Sequence, residues 1–299
     1  MVSAGPGQKI GDLPWVHIAD PDSPELDEIA RQENFHELDV EDCRHHRQIA
    51  KITEHDNYTF LVAKCLQFNP QDLTLRFEDF NVFIKPDRIV TTPEGKTDVL
   101  QKAGDRLRSV ARPVPVPKLV YTLLDVIVDE YLPALYHIGE EIDEIEDVVL
   151  QDPSPRGLQR IFHLRRMLLE FRRNTILMRD LLAHFVRNQH DRQDPLYPYY
   201  HDIYEHLMRT LDLTETYRDL LTGALDIYLS SVANRTNEVM KILTIYGTVA
   251  LPMVVITGVY GMNVKIPGEQ GPYAFWLVLA LMALSTVGVL WYFRRKRWW

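Results

Sequence analysis

The chain has 299 residues, a formal net charge of −9 and only two cysteines, Cys43 and Cys65. The negative charge lies in residues 1–240, which hold 27 Lys and Arg against 41 Asp and Glu, whereas residues 241–299 hold 6 against 1. So acidic a region argues against binding to nucleic acid, whose phosphates would repel it. The lack of a Cys/His cluster argues against a disulfide framework or a structural zinc site.

Residues 1–115 mix short strand and helix patterns, which predicts an α/β cytosolic domain. The predicted elements are strands over Trp15–Ala19, Tyr58–Phe68, Leu73–Ile84 and Arg88–Thr92, and helices over Pro24–Gln32 and Asp39–His46. Within Leu73–Ile84 the apolar residues change from odd to even positions. A β-bulge near Glu78–Asp79 would explain this change, because one extra residue turns the following side chains to the other face.

Helical patterns follow the predicted strands. Apolar residues spaced by threes and fours predict an amphipathic helix over 117–150, with a kink at Pro133. Ser154-Pro155 has the character of an N-cap followed by the first helical residue, which predicts a helix over 155–188. A third helix is expected over 199–263, because no stop signal occurs before its end.

Two uncharged runs near the C-terminus, at about 242–263 and 273–293, are each long enough to cross a bilayer as a helix. They make residues 241–299 a transmembrane domain, and residues 116–240 a helical cytosolic domain before it. The second run is followed by the basic tail Arg294–Arg297, so the positive-inside rule predicts that both termini are cytoplasmic. The tail is also expected to contact membrane lipid headgroups.

The first span ends in Tyr260-Gly261-Met262-Asn263, and a second span with a basic tail follows it. This combination resembles the CorA family of divalent-cation transporters, and Asn234–Asn263 is similar to that family's pore helix along its whole length. The resemblance implies a CorA-like funnel: an α/β cytosolic domain, then long helices and a two-span C-terminal transmembrane hairpin. It also implies a homopentamer that takes up Mg²⁺ across the inner membrane and is gated by intracellular Mg²⁺, not an enzyme.

By the same resemblance, Gly261, Met262 and Asn263 form a selectivity filter at the outer mouth of the pore. Five copies of Asn263 would present a neutral ring of amide oxygens, which suits hydrated Mg²⁺ because this ion sheds water reluctantly. Apolar rings below it would close the pore by dewetting. The pore-lining residues that the resemblance assigns are Asn237, Met240, Leu243, Gly247, Leu251, Val254 and Gly258.

Asp202, in the segment YYHDIYEH, matches a family position that binds a regulatory cation between neighbouring cytosolic domains. Carboxylates that face each other across an interface repel until a divalent ion bridges them, so high internal Mg²⁺ would hold the pore shut. Asp226 is a second candidate, whereas the acidic run Glu140–Asp147 is interpreted as a solvated helix face. The partner of Asp202 is expected from the β region, where the alternatives are Asp72, Glu78 and Asp79.

Two other functions stay open at this stage. Many family members carry Met-Pro-Glu after their Gly-Met-Asn, but here the sequence is Val264–Glu269 (VKIPGE), which is closer to some zinc-transporting relatives. Zn²⁺ transport, with or without proton coupling, is therefore one alternative, and other divalent cations are not excluded. The other is a membrane-anchored cation sensor without a pore. The sequence shows no nucleophile–base constellation of an enzyme.

Overall fold

The computed structural model describes residues 8–10, 12–45, 48–108, 113–188, 195–263 and 273–296. The strands in this part of the chain are β1 (Gln8–Lys9), β2 (Trp15–His17), β3 (Lys51–Glu54), β4 (Thr59–Asn69), β5 (Thr74–Ile84) and β6 (Ile89–Pro93). The helices are α1 (Pro24–Glu33), α2 (Glu37–Arg44), α3 (Val99–Leu107), α4 (Val116–Asp129), α5 (Tyr131–Gln151), α6 (Pro155–Asn188), α7 (Tyr197–Tyr260) and α8 (Ala274–Arg295). Two compact units, Met1–Leu225 and Asp226–Trp299, divide the chain. The predicted domain boundaries within 1–240 stay a prediction.

The strands form one sheet in the order β1-β2-β6-β5-β4-β3. Only the pair of β2 and β6 is parallel among these neighbours. The β4–β5 hairpin is the longest pairing, and its turn is held by side chains, since Asn69 Nδ2 donates to Asp72 Oδ2 at 2.9 Å. Leu73 completes the turn with a φ of 47°.

The predicted β-bulge near Glu78–Asp79 is wrong. Strands β4 and β5 pair without an inserted residue from Thr59↔Ile84 to Asn69↔Thr74. The apolar phase changes because the surroundings change: from Asp79 to Phe83 both faces of β5 are buried. Phe80 and Val82 therefore fill the face of β5 that is exposed at Thr74 and Arg76, while Asp79 and Asn81 lie on the other face.

The core between the sheet and helices α1 and α2 is aromatic and aliphatic. Phe35 stacks on Phe83 with ring centroids 4.1 Å apart, and fully burying such a side chain contributes about 1.5–3 kcal/mol. Asp39 is not the N-cap of the second helix, as its position suggested. Helix α2 begins at Glu37 with His36 as its cap, and buried Asp39 accepts a hydrogen bond from Tyr58 at 2.6 Å.

The single helix predicted over 117–150 is two helices, α4 and α5, which meet at Glu130. Pro133 lies in the first turn of α5, where backbone N–H groups lack a helical partner, and α4 ends at Asp129, whose carbonyl the ring of Pro133 would meet in one continuous helix. The predicted start of α6 is confirmed at Pro155. There the backbone N–H of Gly157 donates to Ser154 Oγ at 3.3 Å. Helix α3 was not predicted.

Candidate ion path and regulatory carboxylates

The C-terminal part of α7 is apolar and continues to the residues assigned to a filter. By length and composition, α7 and α8 are both long and apolar enough to cross a membrane. None of the most apolar 18-residue window of α7 is buried within the chain. A large exposed apolar surface of this kind needs lipid or another protein chain to cover it.

The predicted pore-lining positions share one side of α7. At about 100° per residue, the seven positions from Asn237 to Gly258 fall within an arc of about 120°. All seven are exposed in the single chain. Leu243 is 65% exposed, and Leu251 and Val254 are each 64% exposed. The arc is therefore free to face the same arc of other copies.

Hydroxyl groups on this part of α7 are bonded within the helix. Thr244 Oγ1 donates to the carbonyl of Met240, and Thr248 Oγ1 donates to the carbonyl of Thr244, both at 2.7 Å. Both threonine hydrogens are thus directed to backbone oxygens. Pro252 also lies inside this part of the helix and has no N–H to donate to the carbonyl four residues earlier.

The end of α7 requires glycine. The helix stops at Tyr260, and the N–H of Gly261 still donates to the carbonyl of Thr257 at 2.9 Å. A Cβ at position 261 would lie 2.9 Å from that same carbonyl oxygen, closer than carbon and oxygen normally approach. Met262 and Asn263 follow outside the helix with exposed side chains.

The segment 264–272, which carries the predicted zinc-like pattern, lies outside the described residues, as does Arg297 of the basic tail. Arg294 and Arg295 close helix α8, and the Arg295 guanidinium lies 5.3 Å from the ring centroid of Trp291.

Asp202 lies near the start of α7 with its side chain 60% exposed. Its Oδ1 is 4.0 Å from Nε2 of His206, and Nδ1 of the same imidazole is 3.9 Å from Oδ1 of Asp129. Asp129 in turn pairs at 2.5 Å with Arg106, which also pairs with Asp125. Helices α3, α4 and α7 thereby bring together five side chains that we call the α4/α7 carboxylate cluster: Arg106, Asp125, Asp129, Asp202 and His206.

The cluster holds more carboxylates than cationic groups, and this affects the pKa values of its members. Burial raises the pKa of Asp125, and the negative charges of Asp129 and Asp202 raise it further, although Arg106 acts in the opposite direction. Burial, followed by the negative charges of Asp125 and Asp202, raises the pKa of Tyr121 to about 12. Asp125 and Asp129 were not predicted as site residues, although their spacing of four on α4 places both on one helix face.

The three β-region candidates have different surroundings. Asp79 is 2% exposed, pairs with Lys64 and accepts from the N–H of Gln48 at 2.6 Å. Asp72 is exposed in the β4–β5 turn. Glu78 is half-buried, and burial and then the charge of Glu94 raise its pKa.

Within the described ranges, no three His, Cys, Asp or Glu side chains are arranged to hold a metal ion. One chain therefore does not join Asp202 with Asp72, Glu78 or Asp79 in such a group. Asp226, the second candidate, is exposed on α7.

Comparisons with known proteins place this geometry in context. A family model described as "CorA-like Mg2+ transporter protein" matches residues 11–295. The chain is 34% identical over 269 residues to the cobalt/magnesium transport protein CorA of Thermotoga maritima, covering 88% of this chain and 77% of that protein. Its identity to the cobalt/magnesium transport protein CorA of Methanocaldococcus jannaschii is 29% over 299 residues, covering 96% and 91%.

Solved structures agree. The complete structure of the CorA magnesium transporter from Methanocaldococcus jannaschii superposes with a TM-score of 0.84 at 26% identity, covering 95% of this chain and 91% of that chain. The ZntB cytoplasmic domain from Vibrio parahaemolyticus superposes with a TM-score of 0.61 at 11% identity, covering 74% and 88%, a likeness of fold alone. The predicted fold class is confirmed.

Proposed function

The chain belongs to the CorA-like Mg²⁺ transporter family and is a divalent-cation transporter; from this premise we propose that it is a homopentameric channel for Mg²⁺ uptake, closed by intracellular Mg²⁺. The observation that carries the proposal is the exposed face of α7 from Asn237 to Gly258, continued by Gly261 and Asn263. A single helix cannot enclose a path for ions, but a closed ring of identical helices can.

Ion selection in this proposal occurs at the end of α7. Five exposed Asn263 side chains would form a neutral ring of amide oxygens, and Gly261 and Met262 complete the filter. Mg²⁺ prefers oxygen partners and keeps its water shell, so such a ring would bind the ion through its water. Neutral amides would bind more weakly than carboxylates, which allows the ion to leave.

The gate in this proposal is apolar. Met240 is 56% exposed in the single chain, and Leu243 and Leu251 are more exposed. Rings of these side chains would exclude water from a narrow path and so block a hydrated ion without a plug. The small residues Gly247 and Gly258 would leave width between the apolar rings.

Regulation in this proposal depends on Asp202. We infer that internal Mg²⁺ binds between Asp202, supported by Asp125 and Asp129, and a carboxylate of the neighbouring copy. Asp72 and Glu78 are better placed for this role than Asp79, because the carboxylate of Asp79 is occupied by Lys64 and Gln48. Asp226 remains a second candidate. Bound Mg²⁺ would relieve carboxylate repulsion and hold the copies together in the closed state.

The chain is an integral membrane protein, and we propose that it lies in the cell inner membrane with both termini in the cytoplasm. The basic residues at the end of α8, Arg294 and Arg295, support this orientation. The large acidic region would then also be cytoplasmic.

Ion flux into liposomes tests the proposal. Purified protein should carry Mg²⁺ down a gradient, followed with an internal Mg²⁺-sensitive dye, and Asn263→Ala should change the competition between divalent cations. Uptake of Zn²⁺ without uptake of Mg²⁺ would assign the chain to the zinc alternative. A monomeric mass in detergent together with no flux of either ion would favour the anchored sensor.

A further inference from the structure

We propose that the cytosolic regions of neighbouring copies dock through two complementary helix faces, an acidic stripe on α5 and a basic stripe on α6. The inference rests on the proposed homo-oligomer and adds a contact surface to it. The acidic stripe consists of Tyr136, Glu140, Asp143, Asp147 and Leu150. The basic stripe consists of Phe162, Arg166, Leu169 and Arg173.

The acidic stripe faces away from the core of its own chain. At about 100° per residue, its five positions lie within about 80° on α5, and all five are exposed. The opposite side of the helix carries Ile138, Ile142 and Ile145, each fully buried. Apolar side chains mark the two ends of the stripe: Tyr136 is 44% exposed and Leu150 is 64% exposed.

The carboxylates of the stripe have little to neutralise them. Glu140 is 76% exposed, and among the described residues its ion-pair partner is the imidazole of His137 at 3.1 Å; the Tyr136 hydroxyl accepts from Arg209 at 3.2 Å. By contrast, Glu141 and Glu144, beside the stripe, both pair with Arg160 of their own chain. The stripe therefore retains negative charge for another partner.

The basic stripe shows the reverse pattern on α6. At about 100° per residue, its four positions lie within about 60°. Phe162 is 43% exposed and Leu169 is 54% exposed. Arg166 and Arg173 are exposed, and neither forms an ion pair within the described ranges of the chain. Arg172, by contrast, pairs with Glu215 at 2.6 Å.

The two stripes match in spacing. Glu140 and Asp147 are seven residues apart on α5, and Arg166 and Arg173 are seven residues apart on α6. At about 1.5 Å per residue, both pairs are separated by about 10.5 Å. Two helices lying side by side can therefore form both ion pairs at once, whether they run parallel or antiparallel.

A groove beside the basic stripe offers both apolar and polar contacts. It has a volume of about 470 Å³, and its lining includes Ile49, Leu169, Glu170, Arg173 and Asn174. Ile49 at its edge is 57% exposed. An apolar side chain from an end of the acidic stripe can contact Ile49 and Leu169 there, and Arg173 beside it can pair with a carboxylate.

The occupant we propose is a second copy because the chain itself supplies both faces. The region up to residue 240 is strongly acidic, so a basic stripe on it is attracted to the same region of another copy. The acidic and basic stripes are different surfaces, so their pairing is head-to-tail, which is the kind of contact that closes into a ring.

Disulfide trapping tests the contact directly. One copy carries Asp143→Cys and a first tag, and a co-expressed copy carries Leu169→Cys and a second tag. These positions lie near the centres of the two stripes, so they meet in either helix direction. The native cysteines Cys43 and Cys65 are buried, at 3% and 4% exposed, and do not compete. In the control, the second copy carries Arg156→Cys instead of Leu169→Cys. Arg156 is exposed on another side of α6.

We expect mild oxidation of the full-length protein in membranes to produce a dimer that carries both tags with Leu169→Cys and not with Arg156→Cys. No such dimer, with both variants folded and oligomeric by size exclusion, overturns the docking and leaves the oligomer itself intact. Equal dimer from the control also overturns it, because that result would show random collision.

Charge reversal provides a second measurement. Two exposed ion pairs predict that Arg166→Glu with Arg173→Glu lowers the yield of mixed-tag dimer by about tenfold at low salt. Adding Glu140→Arg and Asp147→Arg to the other copy should restore the yield. A yield that reversal does not change, or that the second reversal does not restore, would overturn the pairing of charges. Raising the salt concentration should weaken the wild-type contact.

Discussion

Replacing Asp79 with alanine would leave the ammonium group of Lys64 buried without a counter-charge. The two residues are direct partners in the β4–β5 register, and their side chains are 4% and 2% exposed. The backbone around Lys64 is also fixed, because Tyr131 donates to its carbonyl at 2.6 Å.

The expected loss is large. Removing one member of a buried ion pair typically costs about 3–5 kcal/mol, because the remaining charge stays desolvated. For a cytosolic unit of this size, each kcal/mol lowers the melting temperature by about 2–4 °C. Asp79→Ala should therefore melt about 6–20 °C below the wild type. The double variant Lys64→Met with Asp79→Leu removes both charges and should recover much of this loss.

Thermal unfolding of the full-length protein in detergent, followed by near-ultraviolet circular dichroism, measures the effect. The matched control is Asp87→Ala: Asp87 is 59% exposed and pairs with Arg88, so its loss should cost about 0–1 kcal/mol. If Asp79→Ala melts like Asp87→Ala, or the double variant melts no higher than Asp79→Ala, the reasoning about the buried pair is refuted. The result also decides whether Asp79 is a structural residue.

Three further outcomes are expected. Asp202→Ala should raise the internal Mg²⁺ needed to stop liposome flux, or abolish closure, with an unchanged Mg²⁺-free melting temperature because the side chain is 60% exposed; normal inhibition would remove Asp202 from the regulatory site. The pKa of Asp125 is raised in the folded chain above its unfolded value. The folded state therefore loses stability as the pH rises between these two pKa values: the full loss is present above the folded pKa, and there is no loss below the unfolded pKa. Asp125→Asn should thus stabilise the protein at pH 7 without Mg²⁺, and the gain should vanish on acidification; a gain independent of pH in thermal melts would contradict this. Leu251→Ser should wet the apolar path and raise flux at high internal Mg²⁺, whereas Met253→Ser, on another side of α7, should not; equal flux from both variants would argue against a gate on the predicted arc.

Much of the fold follows from local patterns. The β4–β5 hairpin was predicted within one residue of its bounds because its turn residues and apolar runs are both strong signals. The start of α6 was predicted because Ser154-Pro155 specifies it chemically. The long course of α7 followed from the lack of any stop signal.

Two of the errors share a physical origin, which is tertiary burial that local patterns do not report. A bulge was predicted because the apolar residues of Leu73–Ile84 change from odd to even positions, but both faces of β5 are buried there and Lys64 neutralises Asp79 from the neighbouring strand. The register itself contained this signal: once the turn is fixed, the two residues are opposite each other. Asp39 was likewise interpreted as a helix cap, whereas Tyr58 binds it in the interior.

The pore-lining residues were assigned by family resemblance alone, and their common side of α7 follows from helical periodicity. The α4/α7 carboxylate cluster could not, because Arg106 lies on α3, a helix that the sequence analysis missed. Without that helix, nothing indicated which carboxylates of α4 were held together. The roles of the pore and cluster residues stay predictions for the flux experiments above.

The bonded threonine hydroxyls of α7 have a consequence for the sign of the ion. Thr244 and Thr248 direct their hydrogens to backbone carbonyls, so only oxygen lone pairs remain to face outward. The water shell of a cation presents hydrogens outward, and these can be accepted by such oxygens. The shell of an anion presents oxygens, and these two hydroxyls have no hydrogen left to donate to them. In a ring of these helices, Thr244 and Thr248 would therefore favour a hydrated cation over a hydrated anion without carrying any charge.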